Sequence, residues 1–192
     1  MHLRITTEIT LDEPDADEGL VSWLDIEVLD DRLDEEQAVV GRARVAIIHV
    51  EVAGGRLFFA LDADSGELES LYEVYFEGDS FREEFFEGVG QDLLYVSEIE
   101  LVPSSRGWNV ELALVRRLCD TLGTGSALVV VRCADEPEAA AWRTMGFERT
   151  RGTSGLMHLR QSLVQPRVVR VEGEGQFRVV PVASTDARRR PN

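Results

Sequence analysis

Hydrophobic and polar positions alternate most cleanly between Trp23 and Leu29, where Leu24, Ile26 and Val28 share one face and Asp25 and Glu27 the other. That period of two predicts a half-exposed strand. Looser alternation over residues 1–10 predicts a strand before it, joined through the charged loop from Leu11 to Gly19. Val39 to Val52 is rich in β-branched residues and predicts a long strand ended by Ala53-Gly54-Gly55. The acidic stretch Asp30 to Glu36 connects these two strands.

Further on the period changes. Leu68, Leu71, Tyr72 and Tyr75 follow helical spacing, with Ser65 as a cap. Ser80 to Glu87 predicts a second helical piece that gathers Phe81, Phe85 and Phe86, punctuated by Gly88 and Gly90. Leu93 to Val102 predicts a strand stopped by Pro103, which has no N–H for a ladder. Ala113, Leu114, Val115, Leu118 and Leu122 form the apolar stripe of a helix over Val110 to Leu122. Ser126 to Val131 suits a strand covered on both faces, Glu138 to Thr144 a short helix, and Leu156 to Leu159 a last core strand. This order predicts an α/β domain with at least one parallel crossover. Residues 163–192 hold six arginines and three acids, and are expected to form a basic tail beyond a domain of residues 1–162. Val168–Val171 and Phe177–Val182 predict a hairpin in that tail, followed by a disordered end.

Composition narrows the function. A length of 192 residues fits one domain. The 36 acidic and 20 basic residues give a formal charge of -16, which argues against non-specific nucleic-acid binding. Such acidity serves solubility or draws in a cationic substrate. Every basic residue is arginine, so no lysine serves as Schiff-base nucleophile or general base. No apolar run reaches the roughly 18 residues of a membrane span, and the N-terminus lacks a signal-peptide core, so a cytoplasmic protein with no membrane partner is expected. Cys119 and Cys133 lie in apolar runs and read as packing residues, while His2, His49 and His158 lack ligand spacing, so no metal is expected. Asp62, Asp64, Gly66, Glu67 and Glu73 only partly follow a calcium loop, because the glycine comes one place early and a ligand is missing. An acidic helix start accounts for them.

One segment carries a more specific pattern. The strand ending at Val102-Pro103 leads into Arg106-Gly107 and a helix, and later the chain runs Ala140-Ala141-Trp142-Arg143-Thr144-Met145-Gly146-Phe147. This order resembles the GNAT superfamily of acyl-CoA-dependent N-acetyltransferases over Leu93 to Leu159. The resemblance implies a mixed central sheet that splays between Leu93–Val102 and Ser126–Val131, with helices on both faces. It implies acetyl-CoA as co-substrate, its pantetheine arm along Leu101 and Val102 and its pyrophosphate in the loop from Arg106 to Glu111. In that loop Arg106 stands at the first motif position, Gly107 and Trp108 at the variable pair, and Asn109, Val110 and Glu111 at G-x-G. It also implies proton relay by Glu98 or Glu100 on the preceding strand, read from the sequence as sharing a face with Val96 and Val102. Trp142 stands where the family has its tyrosine acid, and packs over the cofactor region or in the core.

The physical basis of such a loop is a helix N-terminus with unpaired N–H groups, which binds anions. Asn109 tolerates the left-handed backbone of the glycine it replaces. Read as an ordinary helix start, Asn109 caps the helix and Glu111 meets its positive end. A carboxylate at Glu111 about 5 Å from a phosphate repels it by about 3 kcal/mol at an effective dielectric near 20. Glu111 therefore either supplies the pocket's own anion or turns away towards an arginine. Two functions follow: transfer of an acetyl group to a small-molecule or peptide amine, or a non-catalytic GNAT-like binding or assembly module. Either would act as a monomer or homodimer without nucleic acid.

Overall fold

The alternating N-terminal segments form an antiparallel meander of β1 (His2–Thr6), β2 (Val21–Leu29) and β3 (Val39–Ile48). The computed structural model describes residues 1–8, 19–34, 38–85, 90–153, 155–172 and 175–182. After the meander come α1 (Leu57–Asp64), α2 (Gly66–Tyr75), β4 (Phe76–Glu77) and β5 (Ser80–Phe81). The second half consists of β6 (Asp92–Leu101), α3 (Val110–Thr121), β7 (Ser126–Arg132), α4 (Glu136–Thr144), β8 (Glu148–Arg149) and β9 (Leu156–Arg160). Seven strands join in the order β1-β2-β3-β6-β7-β9-β8, antiparallel throughout except for the parallel pair β6–β7. α3 is the crossover between those two strands. The fold is mixed α/β with helices on both faces, as expected.

The two faces have separate cores. On one, Val110, Leu114, Val115 and Leu118 of α3 and Trp142 of α4 pack on Leu94, Val96, Val129 and Val131. On the other, Leu57 and Leu61 of α1 and Leu68, Leu71 and Tyr75 of α2 pack on Leu93, Tyr95, Leu128 and Val130. β7 is buried on both faces, which accounts for its unbroken apolar run. Cys119 and Cys133 are free and buried, and burial pushes the Cys119 thiol up to about 11.

Several elements differ from the sequence reading. Val50–Val52 is a short 3-10 turn, not the end of β3. α1 is absent from the pattern because Phe58 and Phe59 point outward, at 37% and 64% exposure, and blur its apolar stripe. The helical piece expected from Ser80 is instead the β4–β5 hairpin, followed by a turn over residues 83–85. Phe81 and Phe85 pack against the α1/α2 core, whereas Phe86 lies outside the described residues. In the C-terminal segment β10 (Arg167–Arg170) and β11 (Phe177–Val180) form the expected hairpin. It lies on α3, with Val168, Phe177 and Val179 packed against the core, while residues 183–192 and most of the loop before β2 lie outside the described residues. Among the described residues no helix is long and apolar enough to cross a membrane.

Candidate active site at the parting strands

β6 and β7 run side by side from Asp92 and Ser126 to Val96 and Val131, and there their pairing ends while β6 continues to Leu101. At the same level the register between β3 and β6 shifts between Arg44 and Val45, leaving Ser97 as an extra residue. Such a bulge re-aims every side chain beyond it. Glu98 and Glu100 stand opposite Arg44 and Arg42 and face the α1/α2 side. Ile99, Leu101 and Val102 pack on the α3/α4 core together with Val96. Glu98 and Glu100 therefore do not share a face with Val96 and Val102, because the bulge inserts one residue between them. Both carboxylates are exposed.

On the α1/α2 side a polar cluster borders the gap. Ser65 caps α2 by accepting from the Leu68 N–H. This fixes the first turn of the helix and aims Glu67 at the parting strands. Ser97 Oγ donates to both Glu67 oxygens at 3.1 and 3.0 Å, and the Tyr95 hydroxyl donates to the same carboxylate. Arg132, at the end of β7, sits 3.1 Å from Glu67 and donates from Nε to Tyr95 Oη at 3.3 Å. Tyr95 is fully buried, and burial, aided by Glu67, pushes its hydroxyl far above the ordinary phenol value. Nearby, Arg44 lies 4.1 Å over the Trp23 ring, whose indole N–H donates to Asp64 of α1 at 3.1 Å.

On the α3 side lies the loop from Arg106 to Glu111. Gly107 and Asn109 both adopt left-handed backbone, with φ of 77° and 56°. Asn109 is the one non-glycine residue among those described with positive φ. It does not cap α3 with its side chain: Nδ2 instead donates to the Phe177 carbonyl of β11 at 2.8 Å. The Phe177 N–H in turn donates to the Trp108 carbonyl at 2.8 Å, so the C-terminal hairpin is fastened to the loop by two hydrogen bonds. Arg106 is exposed and donates to the Leu101 carbonyl at 3.3 Å. The Val110 side chain is buried in the α3/α4 core.

Among the described residues Glu111 has no arginine partner. Its Oε2 is buried without any hydrogen-bond partner. Burial holds its carboxyl above the usual carboxylate range; its own backbone N–H opposes that shift and the charge of Glu138 adds to it. Glu138, on α4, accepts from the Ala134 N–H at 2.7 Å and from the Trp142 indole at 3.3 Å. Trp142 is 1% exposed and packs in the core, its ring tilted 59° to that of Phe147 at 5.5 Å between centroids.

No family model and no curated protein matches the chain. Among solved structures, it is similar to a mutant of the AtaT toxin bound to the C-terminus of the antitoxin AtaR, at 12% identity and TM-score 0.44, over 84% of this chain and 94% of that one. It is similar to AtaT complexed with acetyl-methionyl-tRNAfMet at 9% identity and TM-score 0.45, over 84% and 96%. A third is AtaTR bound with AcCoA, at 10% identity and TM-score 0.43, over 83% and 94%.

The structure thus brings Glu98, Glu100, Leu101 and Val102 to one end of the sheet with the Arg106–Glu111 loop. Beside Tyr95 of β6 it adds Glu67, Ser97 and Arg132, whose part in this cluster the sequence reading missed. Glu67 was visible only as an acid at a helix start, and its role depends on strands distant in sequence. Among the described residues no group of three or more metal-ligating side chains is placed to hold an ion.

Proposed function

We propose that the chain is an acyltransferase that moves an acetyl group from acetyl-CoA to an amine, which enters on the α1/α2 side of the parting strands. The observation that carries this reading is the parting of β6 and β7 directly before a left-handed loop at the N-terminus of α3. A sheet edge without a ladder partner offers backbone groups to an extended ligand, and the helix start offers N–H groups to an anion. A Cβ added at Gly107 would meet nothing within 4 Å, so an anion has room to approach that backbone. The loop therefore fits a pyrophosphate in its backbone. It fits in charge when Glu111 is protonated, a form that burial and Glu138 both favour.

Bound acetyl-CoA would supply an acyl carbon activated as a thioester. Glu98, beside the bulge, would take the proton from the incoming ammonium, and Glu100 would add negative potential that draws the cation in. The nitrogen would then bond to the acyl carbon as the carbon–sulfur bond breaks, its second proton passing to the departing thiolate. Trp142 supplies no acid for that step, since an indole N–H does not transfer its proton at these pH values. The acidic surface supports a positively charged amine over a neutral one, handled by the chain as a monomer or homodimer in the cytoplasm.

A second reading is a non-catalytic module that keeps the fold for binding. Glu111 favours it, because a buried carboxylate with one unpartnered oxygen already occupies the helix start. Calorimetric titration with acetyl-CoA separates the two. Under the first reading the wild type binds, and Glu111→Gln binds more tightly. If neither binds at about millimolar concentration, corresponding to about 4 kcal/mol, the acyltransferase reading is lost.

A further inference from the structure

On the α1/α2 face, at the β8–β9 edge of the sheet, an open cavity of about 610 Å³ lies between the end of α2, the segment after β5 and the β8–β9 turn. His158 lines it from β9 and is 5% exposed. Its Nδ1 is 2.8 Å from Thr150 Oγ1, which is 2.7 Å from the Tyr75 hydroxyl. Its Nε2 is buried with no partner.

Proton counting fixes the direction of this chain. In one direction Tyr75 donates to Thr150, Thr150 donates to His158 Nδ1, and only the Nε2–H is left over. In the other, Nδ1–H donates to Thr150, Thr150 donates to Tyr75, and both the Nε2 lone pair and the Tyr75 proton are left over. Tyr75 is fully buried, so its stranded proton would be a buried donor without an acceptor, at the full cost of its lost hydration. The first direction wins. Burial, together with the Arg160 charge, lowers the pKa of the ring and so favours the neutral imidazole.

An unused donor buried in the wall of a cavity calls for an acceptor. The neighbouring side chains supply more donors: Arg82, Arg149, Arg151 and Arg160 line the same space, Arg149 being paired with Glu136. Arg82 is held by the Glu73 carbonyl at 2.9 Å, and its Nε is buried without a partner. Glu73, Glu84 and Glu148 also line the cavity. Net charge is therefore close to balanced, and selection rests on fixed N–H donors. We infer that this cavity binds the oxyanion of a small ligand, a carboxylate or a phosphate, through His158 Nε2–H and the Arg82 guanidinium. The site needs no acyl donor and stands or falls apart from the acyltransferase reading.

The test uses the full chain labelled with nitrogen-15, whose three histidines are few enough to assign. At constant ionic strength the sample is titrated separately with inorganic phosphate and with acetate, and the imidazole nitrogens are followed. The expected result is an Nε2–H tautomer at His158 and a saturable shift of its resonances, with His2 and His49 unmoved. Arg82→Gln should weaken that binding at least about tenfold and Arg151→Gln by less, while both keep the wild-type tautomer. The anion that saturates at lower concentration identifies the group. An Nδ1–H tautomer, or no saturable shift by about 50 mM of either anion, overturns the proposal. Binding that Arg82→Gln leaves unchanged marks an adventitious ion only and overturns it equally.

Discussion

Two carboxylates flank the end of β6, and they are treated in opposite ways. Glu67 is met by Ser97, Tyr95 and Arg132, so donors surround it. Glu111 meets another carboxylate, Glu138, and keeps one buried oxygen without a partner. The first arrangement is a clasp that ties α2 to both parting strands. The second leaves part of its bonding capacity unused, at a point where the helix start would otherwise receive an anion. A satisfied carboxylate and an unsatisfied one thus stand on different sides of one strand pair.

The largest expected effect tests the unsatisfied side. Glu111→Gln removes the charge with little change in shape, and should tighten acetyl-CoA binding by up to about 3 kcal/mol, roughly a hundredfold, in calorimetry. Tight wild-type binding with no gain in the variant would show that Glu111 presents no charge to the pyrophosphate, being protonated or turned away.

On the satisfied side, Glu67→Ala strips acceptors from Ser97, Tyr95 and Arg132 together. A loss of about 2 kcal/mol in chemical denaturation is expected, with Glu67→Gln losing less. A change indistinguishable from zero would mean that the clasp is only a surface pairing.

The hairpin offers a third test. Deleting residues 163–192 uncovers the face of α3 against which Val168, Phe177 and Val179 pack. A cooperative transition should persist at lower temperature, because both sheet cores close without the tail; the loss amounts to about 1–3 kcal/mol of apolar burial. Absence of any transition would make the hairpin integral to the core.

The pH dependence is smaller and opposite in sign to the usual carboxylate case. The Glu111 carboxyl is raised in the folded state. Between its ordinary value and that raised value the folded state holds more protons than the unfolded state. Its contribution to stability therefore grows as pH falls through the raised value and is lost as pH rises through it. Comparing wild type with Glu111→Gln across this window isolates the effect, and acetyl-CoA affinity of the wild type should improve in the same direction. Parallel profiles for the two proteins would remove Glu111 as the titrating group. The smallest effect belongs to Asn109→Gly. It relieves left-handed strain and gives up the bond to Phe177, two changes of about 1 kcal/mol each that nearly cancel in a thermal melt.

The strands β2, β6 and β7 and the helix α3 were legible because each has a clear apolar period, and the left-handed tolerance of Asn109 was legible from its residue type. The bulge at Ser97 was not. A bulge adds one residue without a local signal, and it reversed the faces assigned to Glu98 and Glu100. α1 was hidden by its outward phenylalanines. The Asn109 side chain was read as a cap, since nothing nearby in sequence indicates that β11, more than 60 residues later, would claim it. The cluster around Glu67 and the chain from Tyr75 through Thr150 to His158 share this cause, for each joins residues that only tertiary pairing brings together.

β6 has antiparallel β3 on one side and parallel β7 on the other. The meander β1–β2–β3 can assemble from neighbours in sequence, but β6 reaches β3 only after the intervening helices, and β7 reaches β6 only after α3. Closing such long loops costs entropy before any contact rewards it, so topologies of this kind fold slowly. Docking of β6 onto the preformed meander is then the expected rate-limiting event. Substitutions along the β3–β6 seam, such as Ala46→Gly, should slow refolding, whereas those under the late-docking hairpin should mainly speed unfolding.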